Sequence, residues 1–413
     1  MASARKPSRR PAAVKRRRRL ASTATISGLV VTTVVIVVTH VGSAAAPPDH
    51  AGTSPGAGST HSPAGHSVAT APDRVPSVSS ALLPAALPPP HGRGHLAPGS
   101  NPAVLPGPIL VADRANNRLL VIDPQGRVRW QFPRPGDLAP HQLFKVPDDA
   151  FFSPNGRDIV ATEEDYSVIS VIDTVTHRII RRYGHPGVPG HAAGSVHNPD
   201  DAMLLPNGDL LTADIRNCRV LVIPPGADRP SRMYGKTGVC VHRPPHYFGS
   251  PNGAFPMTNG DYLVTEINND WVDSLSLNGG VQWSVHPPGI VYPSDSNQVG
   301  PNRFLTVGYT NPGKIVEFNR QGKALWRYRP LSPSAALNHP SLAMPLPNGD
   351  ILLNDDYDDR VLVIDPHTDK IVWQYGHRGH PGTGPGYLNI PDGVDLLPPY
   401  SLVGTHAATM GQP

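Results

Sequence analysis

Absences narrow what this 413-residue chain can be. It has only two cysteines, few aromatic residues, and no Asp or Glu in its first 48 positions. It contains no nucleophile elbow, no Walker-type phosphate loop, no HExxH and no dinucleotide fingerprint, so the commonest catalytic signatures are missing. Two cysteines are too few for a thiolate metal centre. A basic excess on the folded part is also missing. Nine of the 36 Lys and Arg residues lie within residues 1–19, which leaves 27 basic against 32 acidic residues and a balance of −5. A nucleic-acid partner needs clustered positive charge, so none is expected.

What is present in quantity is Pro (50) and Gly (40), a load that suits short strands separated by turns better than helices. Behind the basic residues 1–19, no charged side chain occurs from Leu20 to Ala46. That stretch is long enough to cross a bilayer core of about 30 Å. Its basic flank would leave the N-terminus in the cytoplasm. Two readings stay open: an uncleaved transmembrane anchor, or a cleaved export signal ending in the small residues Ala44 to Ala46. Both export the rest, so the expected location is the outer side of the cell membrane, or secretion. Residues 47–106 show neither period and read as a disordered Pro/Ala/Gly-rich linker. Residues 405–413 read as a tail.

Between these lies a repeat. Turns of the Pro-Asn-Gly kind fall at Pro154, Pro206, Thr258, Pro301 and Pro347, with spacings of 52, 52, 43 and 46. Asn and Gly accept positive φ, which makes such turns hairpin signals. Four short strands per unit at this spacing indicate propeller blades. The clearest unit is Pro340 to Gly376. The first unit lacks its own first strand, and Pro391 to Leu397 supplies one that resembles Pro199 to Leu205. The expectation is an all-β, six-bladed, monomeric propeller over residues 107–404, closed by its C-terminal strand. Cys218 and Cys240 fall within one unit and are expected to pair in an oxidising compartment.

The segments Asp113 to Arg118, Asp214 to Arg219 and Asp355 to Arg360 resemble the acidic-loop-Arg signature of NHL-type repeats. So do the connectors Tyr183-Gly184 to Pro199-Asp200 and Tyr375-Gly376 to Pro391-Asp392. The spacings of Gly126 with Trp130 and Gly322 with Trp326 are similar to quinoprotein-like and arylsulfotransferase-like propellers. The resemblance implies a protein- or ligand-binding platform, with a few enzymes among its relatives.

In such a fold the loops entering first strands and the loops joining second to third strands share the channel mouth. Candidate binding residues there are Asp148, Asp200, Asp392, Glu266, Asp355, His197 and His339. The acids Asp113, Glu163, Asp214, Glu266 and Asp355 recur in nearly every unit, and a recurrent acid that accepts loop N–H groups is architecture rather than activity. Converging carboxylates could take Ca²⁺ through oxygen. His141, His197, His246 and His339 precede first strands in four units and could form a three-His zinc site. The expected function is an extracytoplasmic, membrane-anchored binding module for a protein or small-molecule ligand. The alternative is a metal-dependent lyase or hydrolase, or an arylsulfotransferase-like enzyme, with histidine at the mouth.

Overall fold

Among the described residues, six four-stranded antiparallel sheets make up the fold. The computed structural model describes Leu87, residues 92–398 and Tyr400. The expected anchor or signal at 20–46, the basic tail and residues 405–413 lie outside the described residues. Among the described residues no helix is long and apolar enough to cross a membrane.

The expected unit, Pro340 to Gly376, forms blade 6 with strands Ala343–Pro345, Ile351–Asp355, Arg360–Asp365 and Lys370–Gly376. Its first turn shows why the sequence folds this way. Gly349 takes φ +89°, its N–H donates to the Leu346 carbonyl at 2.9 Å, and the Asn348 side chain accepts the Asp350 N–H at 3.1 Å. Blades 2, 3, 4 and 5 repeat the plan, with innermost strands Pro147–Phe152, Pro199–Leu204, Pro251–Pro256 and Pro293–Gly300.

Blade 1 is composite, as the sequence predicts. Its innermost strand is the C-terminal Pro391–Leu396, which pairs with Ile109–Asp113 in the register Ile109↔Leu396 and Val111↔Val394. Ring closure is therefore noncovalent pairing between the two ends of the propeller, and it leaves no free sheet edge there. The stretch read as linker contributes contacts before residue 107. Ala97 and Asn101 donate backbone N–H groups to the carbonyls of Gln374 and Val372, and His95 donates to Gly126. The outer strand of blade 6 is thereby tied to the third turn of blade 1.

Apolar side chains fill the spaces between blades. Along the axis, Phe151 of blade 2 and Phe255 of blade 4 meet edge-to-face with centroids 5.5 Å apart. These blades are not neighbours, so the contact crosses the axis. With Met203, Met344 and Val394 it makes an apolar floor. Toward the mouth the channel is a polar cavity.

Cys218 and Cys240 form the expected disulfide, with 22 residues of separation. Cys218 occupies a left-handed position (φ +57°) that ends the turn Ile215–Asn217. In the chain-entropy view the bridge restricts the unfolded chain and contributes about 3 kcal/mol. Replacing both cysteines by serine is expected to lower the unfolding free energy by about that amount in a urea melt. Two thiols alkylated without reductant would contradict the bridge.

Candidate functional site at the channel mouth

Two local devices build the mouth. The first is an inner-strand bulge. In blades 1 to 5 the register between innermost and second strand slips just after the strand-leading proline. The residue before that proline is left-handed in every blade: Val146, Asn198, Ser250, Tyr292, His339 and Ile390 have φ between +43° and +59°. Pre-proline residues, and β-branched ones above all, disfavour this region. Six repeats of it hold the chain in a turn that delivers the next side chains to the axis. Threonine hydroxyls of the second strands lock the bulge: Thr162 donates to the Asp149 carbonyl, Thr212 to Asp200 and Thr306 to Asp295, at 2.8–3.2 Å.

The second device is the recurrent acid. Asp113, Asp214 and Asp355 accept the backbone N–H two residues before the strand-leading proline, from Asn389, His197 and Asn338 respectively. Each also takes the Nε of the arginine five residues on, Arg118, Arg219 or Arg360, at 2.6–2.8 Å. Glu163 does the same with Lys145, and uses Arg182 and Ser170 instead. Asp355 thus serves the frame, with both oxygens engaged by it. Because this acid is fixed, the residue after it is delivered toward the mouth: Arg114 and Glu164 line it in blades 1 and 2, and Asp356 lies buried behind it in blade 6; in blade 5 Tyr309 lines it after Gly308.

The cavity holds about 270 Å³ and is lined by Arg114, Asp148, Asp149, Glu164, Asp200 and Asp392 on one side. Tyr292, Tyr309 and Tyr357 form a collar on the other. Arg114 is its cation. The guanidinium bonds Asp148, Asp392 (2.6 Å), Glu164 (2.9 Å) and Asp165 (3.0 Å). Deeper, Asp149, Asp201 and Asp295 place one oxygen each within 4.8 Å of one another, as do Asp148, Asp149 and Asp200. The deep trio is at most 2 % exposed. Both Asp295 oxygens, and one each of Asp149 and Asp201, take no hydrogen bond from the backbone or from a neutral or basic side chain; only neighbouring carboxyls face them. A side chain could not replace Gly253 there, since its Cβ would lie 2.6 Å from Asp295 Oδ1 and 2.9 Å from Asp201 Oδ2. Gly393 is held likewise by Asp149. Blades 2, 3 and 5 thus give acids at this level, and blades 1 and 4 give the space.

The electrostatics follow from burial. Desolvation, then repulsion from Asp200 and Asp295, holds the Asp149 carboxyl well above the usual carboxylate range. Asp201 and Asp295 are pushed the same way by burial and by their acidic neighbours. Burial raises Asp200 to about 6, and burial with the Asp200 charge raises Glu164 to about 7, against the pull of Arg114. Such a cage favours protons or a cation.

Of the residues singled out in the sequence, Asp148, Asp200 and Asp392 come together here. Glu266 lies elsewhere, in blade 4. Among the described residues, no group of three potential ligands within 4.8 Å contains His141, His197, His246 or His339. His141 and His246 are exposed. His339 packs edge-on against Tyr309 and Tyr357 of the collar, with centroids 5.0 and 4.8 Å away. Burial there holds its imidazole below its ordinary pKa. Arg114, Glu164 and the three tyrosines were not foreseen. Their signal was available, because each of Arg114, Glu164 and Tyr309 directly follows the acid or its blade-5 equivalent, Gly308.

A family model described as outer membrane protein assembly factor BamB matches residues 268–388, the outer half of blade 4 and blades 5 and 6. No curated protein matches the sequence significantly. Solved structures are similar in part. A Bacteroides caccae protein of unknown function is 17% identical, with 70% of this chain and 98% of that one covered, at a TM-score of 0.47. Staphylococcus aureus virginiamycin B lyase is 17% identical over 65% and 83%, at 0.45. Kuenenia stuttgartiensis hydrazine synthase is 14% identical over 67% and 79%, also at 0.45.

Proposed function

We propose that this chain is an extracytoplasmic binding module, held at the cell membrane by residues 20–46 or released when that segment is cleaved. Its channel mouth binds a divalent cation and, above it, a small ligand. The observation that carries this is the set of fully buried oxygens on Asp149, Asp201 and Asp295 that face only one another and neighbouring carboxyls. Carboxylate oxygens alone, in a cage with no nitrogen or sulfur, suit Ca²⁺. The cation would offset the repulsion that holds these groups protonated. Over it, Arg114, Ser341 and the tyrosine collar offer hydrogen bonds and ring faces to a ligand of cavity size. The remaining negative charge of Asp148, Asp200 and Asp392 favours hydroxyl- or amine-bearing molecules over anions. The NHL-type reading of the repeats agrees with a binding platform.

The test is a variant carrying Asp201→Asn and Asp295→Asn. Neutral amides relieve the repulsion, so in chelator this variant is expected to melt above the unaltered chain. Adding Ca²⁺ should then stabilise the unaltered chain only. Equal Ca²⁺-induced stabilisation of both would overturn the assignment of the deep trio.

A further inference from the structure

Blade 4 breaks the rule that the other acids obey. Glu266 still accepts the Gly249 N–H. No arginine follows it, because Trp271 stands where Arg118, Arg219 and Arg360 stand in other blades. Seven residues after the acid, blade 2 has Ser170 donating to Glu163 at 2.6 Å. Blade 4 has a second acid there, Asp273. Glu266 and Asp273 are both 0 % exposed, and neither Asp273 oxygen takes a hydrogen bond of normal geometry, although the Glu266 carboxyl and Ser284 lie beside it.

Besides the Gly249 N–H, a side-chain nitrogen faces this pair. His242 Nδ1 lies 2.9 Å from Glu266 Oε1 and 3.9 Å from Asp273 Oδ2. All three residues offer ligand atoms within 4.8 Å of one another. The imidazole is held in place. Its ring lies flat on the Trp271 indole, with centroids 3.9 Å apart and planes 3° from parallel. Its loop is anchored by the Cys218–Cys240 bridge, by Asn268 donating to the Cys240 carbonyl at 3.3 Å, and by paired backbone bonds between Arg243 and Tyr247. The His242 side chain is 17% exposed, which leaves one side open to solvent.

We propose that His242, Glu266 and Asp273 bind a divalent first-row transition ion, of which Zn²⁺ is the best fit. One imidazole and two carboxylates, with room for water at a fourth position, match its coordination preferences. The nitrogen ligand distinguishes this site from the all-oxygen cage at the axis, and no residue is shared between them. The disulfide then has a second role, because it positions the loop that carries the ligand.

The experiment uses the full chain, stripped with chelator, and Zn²⁺ alone, titrated in competition with a chromophoric chelator so that the stoichiometry is read directly. The unaltered chain is expected to take up one more equivalent than either His242→Ala or Asp273→Asn. That equivalent should alter the near-ultraviolet circular dichroism of Trp271. Reduction of the disulfide should weaken it by about tenfold, as loss of a ligand's support does. Should Asp273→Asn fail to fold, His242→Gln at the half-buried rim decides alone. Equal stoichiometry in all chains overturns the proposal, and a higher melting temperature of Asp273→Asn would then identify Glu266 and Asp273 as a pair sharing one proton. Asp295→Asn should retain this equivalent, which separates failure here from failure at the axis.

Discussion

A chain ending at Ile390 is expected to give no cooperative melt and to aggregate. The lost segment Pro391–Leu396 is buried throughout. It pairs along Ile109–Asp113 and packs beside Pro147–Phe152. Burial of Val394 and Leu396 alone contributes roughly 3–6 kcal/mol, a large share of the 5–15 kcal/mol that about covers a whole domain. Truncation also removes Asp392 from Arg114 and the Asp395 carboxylate from the Phe152 N–H. Finally it exposes Ile109–Asp113 as an unpaired, apolar edge, a template for association between chains. Size-exclusion chromatography and a thermal melt test this. A monomer with an unchanged transition would show that closure lies elsewhere.

The second large effect is a stability that falls as pH rises, and that a cation reverses. Asp149, Asp201 and Asp295 have raised folded-state pKa values, Asp200 is at about 6 and Glu164 at about 7. In the unfolded chain such carboxyls titrate near 4. Between these limits the folded state binds more protons than the unfolded state, so unfolding free energy drops with increasing pH. The stabilisation is complete below about pH 4 and is lost progressively as pH climbs through the folded-state values. The cation-free chain is therefore expected to melt at a higher temperature at pH 5 than at pH 7.5. Ca²⁺ competes with protons, so it should stabilise strongly at pH 7.5 and little at pH 5. At a hundredfold excess over its dissociation constant it contributes about 2.7 kcal/mol. A chelated chain whose melt rises from pH 5 to pH 7.5 would contradict the buried-acid account.

The repeat was legible because it rests on local chemistry. The Pro-Asn-Gly turns, the alternation into Asp355 and Arg360, and the match between Pro391 and Pro199 all act over a few residues. They fixed the blades, the ring closure and the architectural role of the recurrent acid. Asp148, Asp200 and Asp392 could be placed at the mouth because each follows a strand-leading proline. Which way the histidines face was not legible, since it depends on the backbone conformation around the strand-leading proline, which sequence spacing does not reveal. His339 itself is left-handed there and packs against Tyr309 and Tyr357. Nor could Glu266 be separated from its series by spacing alone. What marks it is the loss of the arginine at Trp271 together with the gain of Asp273, a difference that gains meaning only once Asp214–Arg219 and Asp355–Arg360 are seen as ion pairs.

We propose that the buried acids of the channel mouth form a cation site. Calorimetric titration of Ca²⁺ into the chelated chain at pH 7.5 tests it most directly. Saturable binding of one ion with release of protons, absent from the variant with Asp201→Asn and Asp295→Asn, is the expected result. No heat of binding, or the same binding in that variant, would contradict it.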